Sequence, residues 1–300
     1  MSTNWPTQGI LPGYLVTTAW LAQYLDAPDV RVFDSTTNLV ADPELGERVQ
    51  PERASFEAGH IPGAQFIDLQ ADLSDPDHGL RFMLPSPERF TASLRRLGVD
   101  QQSRVVIYST GNVWWATRVW WLLRVFGFEH AHILDGGWHK WQQEQRPLET
   151  GAGTARAPGN FTAAPPRPLV ASRQDVLAAI GDGAICTINA LSPEQFSGAA
   201  KPRKGRAGRI PGSVNLPAGS LLDPQDKIFL PPAVLRDKFA GIGAFDAGRG
   251  VIAYCGGGIA ASADVFALSL LGHPNVRLYD ASMSEWANDP ALPIETGVTA

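Results

Sequence analysis

The feature that most constrains this chain is an internal repeat that spans nearly its whole length. Several short blocks return in the same order about 150 residues later, which is the signature of a duplicated unit. Residues 59–63 read Gly-His-Ile-Pro-Gly, and residues 208–212 read Gly-Arg-Ile-Pro-Gly. Residues 135–141 pair in the same way with residues 280–286. The chain is therefore predicted to fold as two copies of one unit.

The repeat divides the 300 residues into two domains, which is the number expected at ~150 residues per domain. We place the first domain at residues 1–150, a linker at 151–168 and the second domain at 169–300. The linker is rich in glycine, alanine and proline and shows no hydrophobic periodicity. The first copy is longer by about ten residues, and much of this excess lies between Asp34 and Pro87.

Within each copy, short β-branched runs alternate with amphipathic helical patterns. Residues 105–108 and 251–254 are apolar without alternation, which is typical of strands buried on both faces. The pattern predicts an α/β fold of two tandem domains, each a parallel sheet flanked by helices on both faces. Ligands of such sheets bind beyond the carboxyl ends of the strands. The residues that follow Tyr108 and Tyr254 are thus the first candidates for a site.

Composition excludes several classes of protein. A net charge of −5 argues against a general nucleic-acid binder. No apolar run reaches the ~18 residues that a membrane-spanning helix needs, and the first residues do not resemble a signal peptide. Two cysteines cannot build a disulfide scaffold. These observations predict a cytoplasmic protein without nucleic-acid or membrane partners.

The loop after Tyr254 carries the pattern that points to chemistry. Residues 255–261 read Cys-Gly-Gly-Gly-Ile-Ala-Ala and lead into a helical segment. The cysteine would lie near the positive end of the helix dipole, and the glycines let successive N–H groups point inward as an anion nest. Such surroundings stabilise a thiolate or a persulfide. The pattern predicts a nucleophilic Cys255; the alternative is a small buried residue beside a glycine-rich turn.

Two other cysteine chemistries are disfavoured. A cysteine-based phosphatase needs an arginine six residues after the cysteine to bind phosphate, and Ala261 stands there. A Cys–His protease needs a base, and no histidine lies near the loop in sequence. Cys186 lies in a strand-like run without glycines, and we interpret it as a packing residue.

These motifs resemble the tandem-domain rhodanese-like sulfurtransferases, the group that contains thiosulfate and 3-mercaptopyruvate sulfurtransferases. The resemblance covers residues 15–297. It rests on residues 59–64, 118–121, 135–138, 255–261, 279–280 and 285–286. In this family only the second domain holds the catalytic cysteine. Here Ser109 occupies the corresponding position of the first copy, so the resemblance implies that the first domain is not catalytic.

The resemblance implies a sulfur relay through a Cys255 persulfide. The donor would be a small anionic compound, thiosulfate or 3-mercaptopyruvate, and the acceptor a thiol, cyanide or a small redox protein. Backbone N–H groups would hold the anionic sulfur without a metal or an organic cofactor. The residues expected to supply them are Gly256, Gly257, Gly258, Ile259, Ala260 and Ala261. A monomer or a weak dimer is expected.

The sequence departs from the family pattern at several positions. Gly257 and Ala260 stand where mercaptopyruvate-type loops carry hydroxyl residues, and Gly256 and Gly257 stand where thiosulfate-type loops carry basic residues. Asn189, Leu191 and Gln195 also differ from the usual residues. The loop fits neither subtype, although its small, aliphatic form is nearer the mercaptopyruvate type. An alternative function is therefore kept: a persulfide-sensing or sulfur-carrier module with little turnover.

Three further polar features are candidates for the site. Residues 201–209 hold five positive charges, and the resemblance places them at the mouth of the cleft, where Arg203 and Arg209 would bind the donor. The alternative is a solvated loop. His60 is either a structural residue of its tight turn or an accessory proton carrier. Asp280 is expected to cap the helix that follows it.

Overall fold

The computed structural model describes residues 13–43, 46–202 and 205–297. The first copy contains, in chain order, β1 (Leu15–Val16), α1 (Thr18–Tyr24), β2 (Val30–Asp34), β3 (Thr37–Asp42), β4 (Gly46–Pro51), α2 (Arg53–Ala58), β5 (Gln65–Phe66), α3 (Leu69–Leu73), α4 (Pro87–Arg96), β6 (Arg104–Tyr108), α5 (Trp114–Val125), β7 (Ala131–Leu134) and α6 (Gly137–Gln143).

The second copy repeats most of this order. It contains β8 (Val170–Ala171), α7 (Arg173–Ala179), β9 (Ile185–Asn189), α8 (Pro193–Ser197), β10 (Val214–Asn215), a 3-10 helix (Ala218–Leu221), α9 (Pro232–Gly241), β11 (Gly250–Tyr254), α10 (Ala261–Leu270), β12 (Val276–Tyr279) and α11 (Ser282–Trp286). None of the helices within the described ranges is long and apolar enough to cross a membrane.

The two copies build equivalent parallel sheets. Their strand orders are β1-β7-β6-β2-β5 and β8-β12-β11-β9-β10, so each strand of one sheet has a counterpart in the other. The apolar strands β6 and β11 lie at the centre and are almost fully buried, because both of their faces are covered. The predicted α/β fold of two tandem units is confirmed.

The extra length of the first copy is largely an antiparallel hairpin. Strands β3 and β4 pair over six residues each within the segment between Asp34 and Pro87. The described part of the second copy contains no matching pair.

The segment at 151–168 contains no helix or strand but packs against the first copy. Its Phe161 is fully buried and donates its N–H to Val99 O at 3.1 Å. The proposed domain limits stay a prediction.

Helices α5 and α10 join the two copies. Trp120 of α5 meets Phe266 of α10 edge to face, with ring centroids 4.8 Å apart. The hydroxyls of Thr117 and Ser262 hydrogen-bond across the same contact at 2.7 Å. Both helices begin directly after the two loops that the sequence singles out. Their packing therefore fixes where those loops lie.

Each copy also binds a segment of the other through one aspartate. Asp280 Oδ2 accepts the N–H of Leu84 from the first copy at 2.9 Å. Asp135 Oδ1 accepts the N–H of Phe229 from the second copy at the same distance. The two aspartates occupy matching positions after β12 and β7. The copies thus exchange equivalent contacts, as an approximate two-fold arrangement requires.

Asp264 on α10 breaks the apolar character of this interface. Its side chain is fully buried, and neither carboxyl oxygen has a hydrogen-bond partner among the described residues. Burial raises the pKa of Asp264 well above its usual value because the charged form loses its hydration. The folded state therefore holds this proton more tightly than the unfolded state. Its stabilising contribution is complete below a pH of about 4 and declines as the pH rises.

We expect Asp264→Asn to raise the melting temperature, because an amide carries no charge that burial would penalise as the pH rises. The gain should be a few degrees at pH 8 and smaller at pH 5, since one such group changes stability by at most about 1.4 kcal/mol per pH unit. Thermal unfolding of both proteins across this pH range measures the difference. Asp237→Asn, at an exposed position of α9, is the control and should leave the pH dependence unchanged. An equal gain at both pH values would contradict the argument.

Candidate active site

Cys255 lies at the carboxyl end of the central strand β11, where the sequence predicts a site. Its side chain is 2% exposed. The preceding Tyr254 anchors the end of the strand, since its hydroxyl accepts the N–H of Ile210 at 3.0 Å and hydrogen-bonds Ser213 Oγ at 2.8 Å. The cysteine thus projects from a fixed strand end into the loop that leads to α10.

Ser282 holds the backbone of this loop. Its Oγ accepts the N–H groups of Cys255 and Gly258, both at 3.1 Å, and donates to Tyr279 O at 2.8 Å. Ser282 adopts a φ of 50°, which is uncommon for a residue with a side chain. The sequence analysis missed this role. The sequence held only an indirect sign of this role: Ser282 lies within residues 280–286, which repeat the block at 135–141.

The main chain that follows Ser282 adds two more bonds to the loop. Met283 N–H donates to Cys255 O at 3.1 Å, and Ser284 N–H donates to Gly256 O at 2.7 Å. Ser284 Oγ also donates to Gly256 O at 2.8 Å. The turn after β12 is therefore the main support of the Cys255 loop.

The three glycines of the loop serve different purposes. Gly258 has a φ of 75°, and a Cβ there would lie 2.5 Å from Asp280 O. A Cβ on Gly257 would lie 3.3 Å from Ser284 Oγ, whereas one on Gly256 would meet nothing within 4 Å. Gly256 and Gly257 are half-buried. These two glycines form a partly exposed edge without side chains next to the buried Cys255.

Most of the loop N–H groups remain available to an anion. Those of Gly256, Gly257, Ile259, Ala260 and Ala261 have no acceptor among the described residues. The N–H of Gly258 donates to Ser282 instead. Five of the six predicted donors are therefore not engaged by the described residues, and their role toward an anionic sulfur stays a prediction.

The equivalent loop of the first copy uses its polar groups internally. Ser109 Oγ donates to Asn112 O at 2.8 Å, and Asn112 N–H donates to Thr110 O at 3.1 Å. Thr110 N–H donates to Thr36 Oγ1 at 2.8 Å. Three of the six N–H groups at 110–115 thus have acceptors among the described residues, against one of six in the Cys255 loop.

Arg118 of α5 reaches from the first copy to the base of the Cys255 loop. Its side chain is fully buried, and Nη1 lies 2.5 Å from Asp280 Oδ1. Nη2 donates to Phe82 O, and the guanidinium lies 4.5 Å from the centroid of the Trp121 ring. The expectation that Asp280 caps the following helix is wrong. The N-cap of α11 is Ala281, without a side-chain cap.

The hydrogen bonds and ion pairs of Arg209 and His60 lead to other parts of the chain and not to the Cys255 loop. Arg209 is 4% exposed and donates to Gly297 O at 2.6 Å, with Glu295 at 3.4 Å. His60 is fully buried and bonds Phe56 O through Nδ1 at 2.8 Å. These contacts stabilise the two turns in which Arg209 and His60 lie.

The remaining basic residues of 201–209 do not share one environment. Arg206 binds the carbonyls of Trp286, Ala287 and Asp289, and Lys201 is exposed. Arg203 lies outside the described residues.

Cys186 has the surroundings of a packing residue. It is buried, and its thiol lies 3.5 Å from Ile242 O. Burial raises the pKa of this thiol, which disfavours the thiolate.

The model of the rhodanese-like domain matches residues 17–144 and 172–289. The chain belongs to the rhodanese family. It is 36% identical to the 3-mercaptopyruvate sulfurtransferase of Escherichia coli (strain K12), covering 98% of this chain and 99% of that protein. It is 33% identical to the sulfur carrier protein TtuD of Thermus thermophilus, covering 95% of this chain and 98% of that protein.

Among solved structures, the crystal structure of SseA from Escherichia coli superimposes with a TM-score of 0.79 at 34% identity. It was determined in a study of the rhodanese fold and mechanism of 3-mercaptopyruvate sulfotransferases, and the match covers 91% of this chain and 99% of SseA. These findings confirm the predicted family and enzyme class: the chain is a sulfurtransferase, with a sulfur donor and a sulfur acceptor as substrates.

The different surroundings of the loop glycines predict opposite results for two alanine substitutions. Gly258→Ala should destabilise the protein by at least about 1–2 kcal/mol, because a left-handed residue gains a side chain that also collides with Asp280 O. It should also slow alkylation of Cys255 by iodoacetamide. Gly256→Ala is the matched control for stability and should leave the melting temperature unchanged, because a Cβ there meets nothing within 4 Å. Equal effects of the two substitutions would contradict the proposed geometry.

Proposed function

We propose that this sulfurtransferase carries sulfur as a persulfide on Cys255, with 3-mercaptopyruvate or thiosulfate as donor. The observation that supports this most strongly is the number of loop N–H groups without an acceptor among the described residues: five beside Cys255, against three in the equivalent loop of Ser109. Fixed N–H dipoles stabilise anionic sulfur before and after transfer without reorganising. A serine at the equivalent position cannot form a persulfide.

In the first step the Cys255 thiolate attacks the outer sulfur of the donor. From thiosulfate, the S–S bond breaks and sulfite leaves with its electron pair. From 3-mercaptopyruvate, the C–S bond breaks and the thiol proton passes to the carbon, giving pyruvate. In the second step an acceptor attacks the outer sulfur, and the Cys255 thiolate leaves. Neither step needs an external oxidant or reductant.

The loop favours 3-mercaptopyruvate as the preferred donor. It carries no basic side chain between residues 255 and 261, and its exposed edge consists of glycine. The Escherichia coli relative that covers nearly the whole chain bears the name of this activity. Arg203 stays a candidate for binding the donor carboxylate. Arg209 is a weaker one, because Gly297 and Glu295 already engage its guanidinium.

The acceptor would be a thiol, cyanide or a small redox protein, approached through the edge at Gly256 and Gly257. We further propose a monomer or weak dimer in the cytoplasm, where a reducing environment suits two free cysteines.

Mass spectrometry of the intact protein tests the persulfide. After incubation with 3-mercaptopyruvate or thiosulfate, the wild type should gain the mass of one sulfur atom. Cys255→Ser should gain none, because burial raises the pKa of Cys186, the other cysteine, and so disfavours its thiolate. Cys186→Ser is the control and should gain the sulfur as the wild type does. The absence of an adduct with both donors, or an adduct that depends on Cys186, would refute this mechanism.

A second candidate role is that of a sulfur carrier. The similarity to the protein named as a sulfur carrier in Thermus thermophilus supports it, as do the altered residues Asn189, Leu191 and Gln195. A carrier should form the persulfide but release sulfur slowly to small acceptors. Steady-state kcat/KM for each donor, measured with dithiothreitol or cyanide as acceptor, decides between the roles. Turnover well above the uncatalysed rate with either acceptor excludes a pure carrier.

A further inference from the structure

We propose that Arg118, a residue of the first copy, is a positioning residue for the catalytic loop of the second copy. This inference rests on the proposed role of Cys255 but assigns a task to the copy that lacks a cysteine. Arg118 does not contact Cys255 in the structure. It acts through Asp280 and through the turn that holds the backbone of the cysteine.

The first link is the ion pair itself. Arg118 Nη1 lies 2.5 Å from Asp280 Oδ1, with the guanidinium fully buried. The other carboxylate oxygen accepts the N–H of Leu84 at 2.9 Å. Both oxygens of Asp280 are therefore bound to the first copy. Because a buried charge needs its partner, this aspartate has little freedom to move.

The second link runs from Asp280 to Cys255. Two residues after Asp280, Ser282 Oγ accepts the N–H groups of Cys255 and Gly258. Gly258 lies so close to Asp280 that a Cβ would be 2.5 Å from the aspartate's carbonyl oxygen, and its own carbonyl lies 3.5 Å from Arg118 Nη1. A displacement of Asp280 would therefore move the loop backbone that positions the sulfur of Cys255.

The third link is a strained turn that passes beside the site. Phe82 adopts a φ of 64°, a left-handed conformation that is rare for a bulky side chain. Its carbonyl accepts from Arg118 Nη2, and Leu84, two residues later, binds Asp280. The guanidinium of Arg118 thus binds both this segment of the first copy and Asp280 of the second copy.

The repeat shows that the fold does not require this cation. Asp264 stands at the matching position of the second copy, since the same number of residues separates it from Arg118 as separates Cys255 from Ser109. The loop of Ser109 is therefore built without an arginine from the opposite copy at this position. The arginine serves the loop that holds the cysteine, which favours a role in sulfur transfer over one in folding alone.

Three substitutions test the proposal by kinetics. Arg118→Met should lower kcat roughly 10–100-fold and leave KM for the donor within about twofold, because misplacing a nucleophile affects the transition state more than binding. Arg118→Lys should restore part of kcat, since it keeps the charge without the planar fork. Asp280→Asn should resemble Arg118→Met, and the double variant Arg118→Met/Asp280→Asn should be no slower than either single variant.

Arg31→Met is the matched control. Arg31 is a buried arginine of the same copy, 9% exposed, that binds Gly98 O at 2.6 Å and pairs with Asp100. Its loss should lower the melting temperature and leave kcat within about twofold of the wild type. If Arg118→Met does not fold, the lysine and Asp280→Asn variants carry the test, with circular dichroism as the check on folding.

Alkylation of Cys255 by iodoacetamide keeps this proposal separate from the sulfurtransferase mechanism. It reports the placement of the thiol without any sulfur donor, and it should slow in the Arg118 variants but not in Arg31→Met. A wild type that forms no persulfide refutes the mechanism and leaves this readout intact. The positioning role is overturned if folded Arg118→Met keeps wild-type kcat and alkylation, or if Arg31→Met loses as much of both.

Discussion

The buried ion pair between Arg118 and Asp280 is the interaction on which the rest of the site depends. Removing two charges from water is costly, and their mutual attraction compensates only when the surrounding groups satisfy the remaining lone pairs and protons. Here the second carboxylate oxygen binds Leu84 N–H, and the second guanidinium nitrogen binds Phe82 O. The pair thus joins the two copies where the cysteine loop, the turn after β12 and the segment of Phe82 and Leu84 meet.

The two copies show how one fold can carry two different loops. The positive φ that turns the chain lies at Gly111 in the first loop and at Gly258 in the second, one position later in the alignment of the repeats. This shift gives the backbones different paths. The first loop closes on itself through Ser109 and Asn112. The second is held from outside by Ser282, and five of its N–H groups have no acceptor among the described residues.

Local patterns in the sequence predicted the fold and the position of Cys255 at the carboxyl end of a central strand. The repeat, the unalternating strands and the glycine loop each depend on residues near one another in the chain, so their consequences can be read directly. The charged residues were predicted less well, because their partners are distant. Arg118 pairs with a residue 162 positions away, and Arg209 donates to a carbonyl 88 positions away. Charge alone did not show that either side chain is buried.

In the proposed mechanism an acidic chain binds an anionic sulfur, and the source of the electrostatic stabilisation explains how. The loop holds no cationic side chain, so the field around Cys255 comes from backbone dipoles of the loop and from the start of α10. Dipoles act strongly only when their directions are fixed, and a glycine-rich loop is intrinsically mobile. Rigidity must therefore come from neighbours: Ser282, which holds the loop, and Asp280, which Arg118 holds. In this arrangement a cation buried away from the sulfur orders the backbone groups that stabilise it.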